Sequence, residues 1–249
     1  MRWIVAFTTA QWALLRGQTA LGEQLSESAY ALGESLGQPD AFNYYATQLS
    51  HVRWQQGRLH EIVDLIAEGA EQNPGIPGYR GALCRALCQA GRSDESRALL
   101  EEADADRFGD LPKDLLWTYG MVTFAEAAIR LEHPAASTLY ELLVPFRDQV
   151  CFVGTTCEGP IAHYLGGLAA VLGRTEAAAV HFESAARFAE RAGSPYFTAR
   201  TSIEGGRLAA RVGDLANARR LLSSGRDLAE QGQFDAEAQR ALDGLARLA

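Results

Sequence analysis

The sequence predicts an all-α fold: about six antiparallel helical hairpins stacked as an α-solenoid. Six times a helix-like stretch ends at a short turn and a second helix-like stretch follows. The turns are 40, 34, 42, 40 and 40 residues apart and lie at residues 15–18, 55–58, 89–92, 131–134, 171–174 and 211–214. A repeat of this length is typical of stacked helical pairs, which usually present a surface to a partner.

The turn residues and a small residue twelve positions later support this prediction. Five of the six turns contain glycine, which enters the left-handed conformation that ends a helix without a Cβ penalty. Twelve positions on, in the middle of the second helix, five units have a small residue that lets helices approach closely: Ala29, Gly69, Ala103, Ala185 and Gly225. The tetratricopeptide repeat has the same relation. The fourth unit has His133 and Pro145 at these positions, so we expect it to be distorted.

The two ends of the predicted array differ. The last helix, near residues 234–249, has one apolar stripe and one charged face, which is the pattern of a capping helix. We therefore expect a single helical-repeat domain over residues 1–249. The first helix is apolar on nearly all sides, with Trp3, Phe7 and Trp12 among its residues. Such a surface needs a cover, which is either further repeats in a longer protein or a homodimer through this helix.

Composition and charge exclude several functions. The formal charge is −8 and no tract is rich in Lys or Arg, so we expect no direct binding to nucleic acid. No apolar run is long enough for a membrane span, and the N-terminus is too short and polar for a signal peptide, so we expect a cytoplasmic protein. The cysteines at 84, 88, 151 and 157 lack metal-ligand spacing and are expected to be buried thiols.

The sequence predicts no catalytic, metal or cofactor site. The five histidines are scattered, and no helical His-Glu-x-x-His pair occurs. The one chemical alternative is Cys157 with His163, close in sequence beside Glu158. Such a nucleophile needs both side chains within hydrogen-bond reach and an oxyanion hole, which nothing in the sequence supplies. We therefore expect an irregular loop over residues 151–159 that leads into a helix, and no enzyme activity.

A binding groove is the stronger candidate. In a hairpin array the first helix of each pair lines the concave face, and positions three and six before each turn share one side of it. These positions, with those one turn earlier, give a wall of arginines and aromatic residues: His51, Trp54, Arg85, Phe124, Arg130, Tyr164 and Arg207. Arginine forks suit carboxylates, so we expect a protein or peptide partner that is acidic in character. The competing interpretation is that these arginines pair with carboxylates on neighbouring helices.

Several segments, taken in order, also resemble a known family. They are RWQQGRL at 53–59, YRGAL at 79–83, AGR at 90–92, FGDLPKD at 108–114, LYELLVPF at 139–146 and YLGGLA at 164–169. Their order resembles the C-terminal tetratricopeptide-like region of large bacterial signalling ATPases, such as LuxR-type ATP-binding regulators and ATPase-linked adenylate cyclases. In that family the region is a sensor or interaction arm. The phosphate-binding Gly-x-x-x-x-Gly-Lys-Ser/Thr loop of those ATPases does not occur in this sequence, so ATP hydrolysis is not implied.

The sequence thus favours a non-catalytic interaction or sensor arm of a bacterial signalling or transcription regulator, with its partner in the concave groove. A second hypothesis is a small-molecule-binding helical domain whose aromatic pocket lies near Trp54, Trp117, Phe124 and Tyr164. The most remote hypothesis is the Cys157–His163 enzyme.

Overall fold

Helices make up most of the chain in the computed structural model, which describes residues 1–76 and 78–248. Within these ranges there are thirteen α-helices, two short 3₁₀ turns (Leu59–Glu61 and Val144–Phe146) and one two-stranded sheet. The helices are α1 (Arg2–Leu15), α2 (Thr19–Ser35), α3 (Ala41–Gln56), α4 (Val63–Gln72), α5 (Gly78–Gln89), α6 (Ser93–Ala105), α7 (Trp117–Arg130), α8 (Ala136–Leu143), α9 (Ile161–Val171), α10 (Thr175–Ala192), α11 (Pro195–Arg211), α12 (Leu215–Gly232) and α13 (Asp235–Ala246). The all-α prediction is confirmed.

Helix breaks fall at all six predicted turns, so the helices follow one another as six pairs and a final helix. The five turn glycines have φ between 69° and 83°, the left-handed conformation that the helix ends require. At the fourth turn Glu132 takes that conformation instead, with φ of 48°. Most helices pack on the helices that precede and follow them in the chain. In addition, α5 packs on α7, and α7 packs on α9.

Three of the five predicted small positions are closely packed. Ala29 and Ala185 are buried, and a Cβ on Gly225 would lie only 2.6 Å from Ile203 Cγ1. Ala103 is half-buried. Gly69 is different, because a Cβ there would meet no heavy atom within 4 Å. The prediction of a close helix approach at Gly69 is therefore wrong.

The fourth unit is distorted, as the sequence predicts. Helix α8 has only eight residues and passes into the 3₁₀ turn that contains Pro145. An antiparallel hairpin follows, formed by β1 (Val150–Phe152) and β2 (Cys157–Pro160). The segment expected to be an irregular loop is therefore partly a hairpin, and its residues 155–160 are buried. Gln48 on α3 anchors it by donating a hydrogen bond to the Thr155 carbonyl oxygen at 3.1 Å. The hairpin thus fills the interior between helices.

The last helices return to the first ones, which closes the array. Helix α13 packs on α12 and α11 and also contacts α3. A Cβ on Gly57 would lie 2.7 Å from the Ala236 Cβ, and one on Gly17 would lie 2.9 Å from the Phe234 ring. One apolar core cluster accordingly joins Leu15 and Trp54 near the N-terminus to Phe234 near the C-terminus. Helix α13 is therefore more than a cap on a free end, because Ala236 packs against Gly57 and Glu237, on the charged face, is buried.

The first helix keeps an exposed apolar face. Trp3 stacks on Tyr44 at a centroid distance of 5.0 Å, and Phe7 is buried beside them. On the outer side Ile4, Val5 and Trp12 are each at least half exposed. Among the described residues, no helix combines the length and the apolar character that crossing a bilayer requires.

Candidate functional site

The residues predicted to line a groove meet inside the closed array. Five of them are buried: His51, Trp54, Arg85, Phe124 and Tyr164. Arg130 is 17% exposed and Arg207 is half-buried. The sequence periodicity therefore correctly places these residues on inward-facing helix surfaces. The solvent-accessible groove wall that we expected them to form is absent. The physical reason is that the arginines meet carboxylates from neighbouring elements, which is the competing interpretation given above.

Glu158, at the start of β2, is the centre of the first group of charges. Its carboxylate accepts hydrogen bonds from Arg85 Nη1 at 2.5 Å and Thr156 Oγ1 at 3.1 Å. His51 Nδ1 lies 3.0 Å from Oε1, the oxygen that also accepts the Thr156 hydrogen bond, and His51 Nε2 lies 3.1 Å from Gln55 Nε2. The hairpin thus carries one carboxylate into the interior, where it meets a guanidinium from α5 and an imidazole from α3.

This pairing keeps Glu158 ionised in a buried position. Burial by itself would raise the pKa of its carboxyl group, but the charge of Arg85 and the contact with His51 outweigh burial and hold the pKa at about 2. For Arg85, burial would lower the pKa of the guanidinium, but Glu158 more than compensates and raises it. Each charge therefore depends on the other for its stability in the interior.

Trp54 connects this group to a second one. The Arg85 guanidinium lies over its ring at 4.5 Å and the Arg200 guanidinium at 4.6 Å, both close enough for cation–π attraction. The indole Nε1 donates a hydrogen bond to Glu126 Oε1 at 3.1 Å. Arg200 Nη2 in turn lies 3.2 Å from Glu126 Oε2. One aromatic ring from α3 is thus held between guanidinium groups from α5 and α11.

The second group extends to the C-terminal helix. Arg130 donates a hydrogen bond to Glu126 at 2.9 Å and another to Glu237 on α13 at 3.2 Å. Arg240 donates one to Glu237 at 2.8 Å and also pairs with Glu204 on α11. These ion pairs therefore join the middle of the chain to α13, which is the helix that closes the array.

Together these residues form what we call the interior cluster. It contains four arginines and four glutamates around Trp54: Arg85, Arg130, Arg200, Arg240, Glu126, Glu158, Glu204 and Glu237. Its formal charges balance, so the interior attracts neither anions nor cations strongly. Its members pair with one another, which fits a structural role better than a role in capturing a partner.

Of the three arginines in the predicted groove wall, Arg207 does not take part in the ion pairs described above. Its neighbour Glu204 favours the charged form, but burial and the nearby guanidiniums of Arg240, Arg211 and Arg247 outweigh that effect and lower the pKa of Arg207. This crowding of positive charge occurs at one edge of the interior cluster.

The sequence reasoning missed the carboxylates that fill the groove. Two signals were available, because Glu126 lies four residues before Arg130 on α7 and Glu204 lies three residues before Arg207 on α11. Arg200, one turn before Glu204, was available by the same periodicity. Glu158 had no such signal, and the local signal of Glu237 points only to Arg240 on its own helix, since the hairpin insertion and the return of α13 to α3 are long-range features.

The predicted aromatic pocket is filled. Trp54, Trp117, Phe124 and Tyr164 are all buried, and they lie in two different core clusters. Trp117 packs on Phe146 at a centroid distance of 4.9 Å, and the Tyr164 hydroxyl donates a hydrogen bond to the Glu158 carbonyl oxygen at 2.7 Å. Their ring faces are thus used by the protein's own side chains.

Cys157 and His163 do not form a catalytic pair in this geometry. Burial raises the pKa of the Cys157 thiol to about 11, so it stays protonated. Burial and the charge of Arg200 lower the pKa of His163 to about 3, and its Nδ1 lies within hydrogen-bond distance of Thr201 Oγ1, at 3.2 Å. The four cysteines are free thiols, and no cluster of His, Cys, Asp and Glu in the described ranges has the arrangement of a metal site.

Two of the accessible concavities outside the interior cluster have largely apolar linings. The first, of about 330 Å³, is a groove over α11 with walls from α10 and α12. Thr201, Ser202 and Gly205 supply small side chains to its floor, and Phe182 and Leu208 supply apolar surface. The charged residues that line it, Glu183 and Asp214, are both acidic. We call it the α11 groove.

The second concavity, of about 400 Å³, lies between α3, α4 and α5. Its lining includes Phe42 from α3, Leu65 and Gly69 from α4, and Tyr79 from α5, with Tyr119 from α7 at its buried end. Helix α3 contacts the 3₁₀ turn at Leu59–Glu61 more than it contacts α4, which leaves the space between α3 and α4. We call it the α3–α5 cavity.

Comparison of the chain with protein-family models, with curated proteins and with solved structures finds no match. The functional conclusion therefore depends on the site geometry and on the sequence patterns.

Proposed function

We propose that this chain is a non-catalytic, tetratricopeptide-like interaction arm of a bacterial signalling regulator, and that it binds a protein partner in the α11 groove. The sequence supports the repeat assignment through the spacing of its six turns, and the resemblance of its ordered segments supports the regulator context. A homodimer through the exposed face of α1 is part of the proposal, since unpartnered apolar surfaces of this kind mark contacts.

The observation that carries the proposal is the chemistry of the α11 groove. Its floor is made of small residues between two helices, so a bulky apolar side chain of a partner has room to enter. Gly205 keeps the floor low, because a Cβ there would meet only Leu221 Cδ1, at 3.6 Å. By contrast, the balanced charges of the interior cluster leave little for a partner to pair with.

The lining of the α11 groove favours a partner with a positive charge instead of the acidic partner expected from the sequence. The acidic partner was inferred from Arg85, Arg130 and Arg207, but two of these are already paired with glutamates. Glu183, on α10, is exposed and has no ion-pair partner among the described residues. Asp214, also in the lining, lies at the N-terminal end of α12. A segment with large apolar side chains and a flanking Lys or Arg therefore complements this groove best.

Selection from a random peptide library displayed on phage, with the purified chain as bait, tests the proposal. We expect the selected peptides to combine apolar anchors with Lys or Arg, and to bind more weakly as salt concentration rises. Gly205→Leu fills the groove and should weaken their binding at least tenfold in calorimetry, whereas Gly69→Leu in the distant cavity should not. Selection of acidic peptides, or binding that Gly205→Leu leaves intact, would count against the α11 groove.

A further inference from the structure

The α3–α5 cavity is held open by a glycine that helix packing does not need. Gly69 lies inside α4, where glycine costs about 1 kcal/mol of helix stability relative to alanine. Several other helical glycines are required by close neighbours: a Cβ on Gly81 would lie 2.4 Å from Thr123 Oγ1, and one on Gly166 would lie 2.5 Å from the Phe182 ring. A Cβ on Gly69 would meet nothing within 4 Å. What this glycine provides is space in the cavity.

Aromatic surface dominates the walls of that space. Phe42 is about half exposed at its outer side, and Tyr79 and Tyr119 lie further in. Three rings around one volume favour a flat, apolar ligand, because stacked and edge-to-face contacts add to the burial of apolar area. About 400 Å³ corresponds to roughly a dozen non-hydrogen atoms at the liquid volume of a water molecule.

The buried end of the cavity has a tyrosine, and so a hydroxyl donor, in its lining. Tyr119 is only 6% exposed, and its side chain forms part of the cavity lining. Burial raises the pKa of Tyr119 and of Tyr79, so both hydroxyls keep their protons and remain donors. A protonated hydroxyl in a largely apolar lining favours a ligand that brings a hydrogen-bond acceptor to it.

The charge of the lining favours a neutral ligand. Glu68 is the charged residue of the lining, and it already accepts a hydrogen bond from Gln72 Nε2 at 2.7 Å. Its negative charge disfavours an anion. A cation would find no second carboxylate in the lining to pair with.

We propose that the α3–α5 cavity binds a small, neutral aromatic molecule whose carbonyl or ring-nitrogen acceptor receives a hydrogen bond from Tyr119. This site is separate from the α11 groove, so it stands whether or not a peptide binds there. The cavity borders the interior cluster, because the Arg85 guanidinium lies 5.8 Å from the centre of the Tyr119 ring.

Fluorescence titration with 7-methoxycoumarin tests the proposal, because this neutral bicyclic lactone has about the right size and a carbonyl acceptor. We expect saturable binding with one site per chain. The analogue with a carboxylate at position 3 should bind at least tenfold more weakly, because of Glu68. Tyr119→Phe should weaken the neutral probe two- to tenfold, the range expected for one hydrogen bond.

Gly69→Leu is the decisive variant, because it fills the cavity while replacing glycine with a better helix former. We expect it to abolish coumarin binding and to leave the melting temperature of the free protein unchanged or higher. Leu65→Trp fills the same space from another position, and Gly205→Leu is the matched control that fills the α11 groove and should bind the probe normally. Absence of saturable binding by the wild type, unchanged binding by both filled variants, or equal binding of the anionic analogue would each overturn the proposal.

Discussion

Replacement of Glu158 by glutamine should destabilise the protein far more than the same change at a surface glutamate. In the folded state the Glu158 and Arg85 side chains are 1% and 2% exposed, and Arg85 Nη1 lies 2.5 Å from the carboxylate. Glu158→Gln keeps the shape of the side chain and removes its charge. Arg85 then keeps its positive charge in the interior, where its Nε has no hydrogen-bond partner even in the wild type.

The expected cost follows from that burial. Removal of one partner from a buried ion pair typically costs about 3–5 kcal/mol, because the other charge stays uncompensated. For a chain of this size that loss corresponds to a fall in melting temperature of roughly 6–20 °C. His51 adds to the effect, since its Nδ1 lies 3.0 Å from the same carboxylate.

Urea denaturation followed by the helical circular dichroism signal measures this cost. The matched control is Glu141→Gln, which breaks the ion pair with Arg107 at 2.9 Å, where the two side chains are 57% and 63% exposed. We expect the control to change the free energy of unfolding by about 1 kcal/mol or less.

A double-mutant cycle separates the ion pair from other effects. Arg85→Met alone should also destabilise, because it leaves Glu158 without its main partner. The double variant, Glu158→Gln with Arg85→Met, should be less destabilised than the sum of the single variants by about 2 kcal/mol or more. If the single effects add, or if Glu158→Gln costs no more than Glu141→Gln, the interior cluster does not hold the fold in the way described here.

Three further predictions concern packing, assembly and pH. Ala185→Leu should lower the free energy of unfolding by about 1–3 kcal/mol through overpacking, and an unchanged urea midpoint would show that Ala185 has room around it. If the outer face of α1 joins two copies, Val5→Glu together with Trp12→Glu should convert a dimer to a monomer in light scattering, and a wild type that is monomeric at high concentration removes that proposal. Stability should also fall in two stages as the pH falls. Below about pH 6.5 the unfolded chain binds a proton at His163 that the folded chain accepts only near pH 3, and below about pH 4.5 the unfolded chain protonates Glu158, whose pKa is near 2 in the folded state. Unfolding curves that do not change between pH 7 and pH 4 would contradict this prediction.

The regular part of the fold is readable from the sequence because its signals are local. A turn glycine ends a helix through its own φ, and five such glycines, at five of the six regularly spaced turns, mark where the first helix of a pair ends. The fourth turn shows the limit of that reading, since Glu132 takes the left-handed conformation without being a glycine. Gly69 shows another, because a small residue in the expected position leaves a cavity instead of a close helix contact.

The candidate sites were harder to predict because they depend on contacts between distant parts of the chain. The periodicity correctly grouped Trp54, Arg85 and Arg130 on inner faces, but exposure is decided by what packs against those faces. Glu158 comes from an inserted hairpin, and Glu237 comes from a helix whose sequence reads as a simple cap. Charge complementarity across more than seventy residues of sequence has no local signature, so the groove appeared open.

Closure of the array has a physical consequence for function. The charges that the sequence places on the inner face are used to join the first, middle and last parts of the chain, through Trp54 with Arg200 and Arg130 with Glu237. A partner that sought those arginines would have to break buried ion pairs, each expensive to separate. Recognition at the outer concavities avoids that cost, since Gly205 and Gly69 leave space there. The two glycines are therefore the positions at which single substitutions distinguish binding from folding most cleanly.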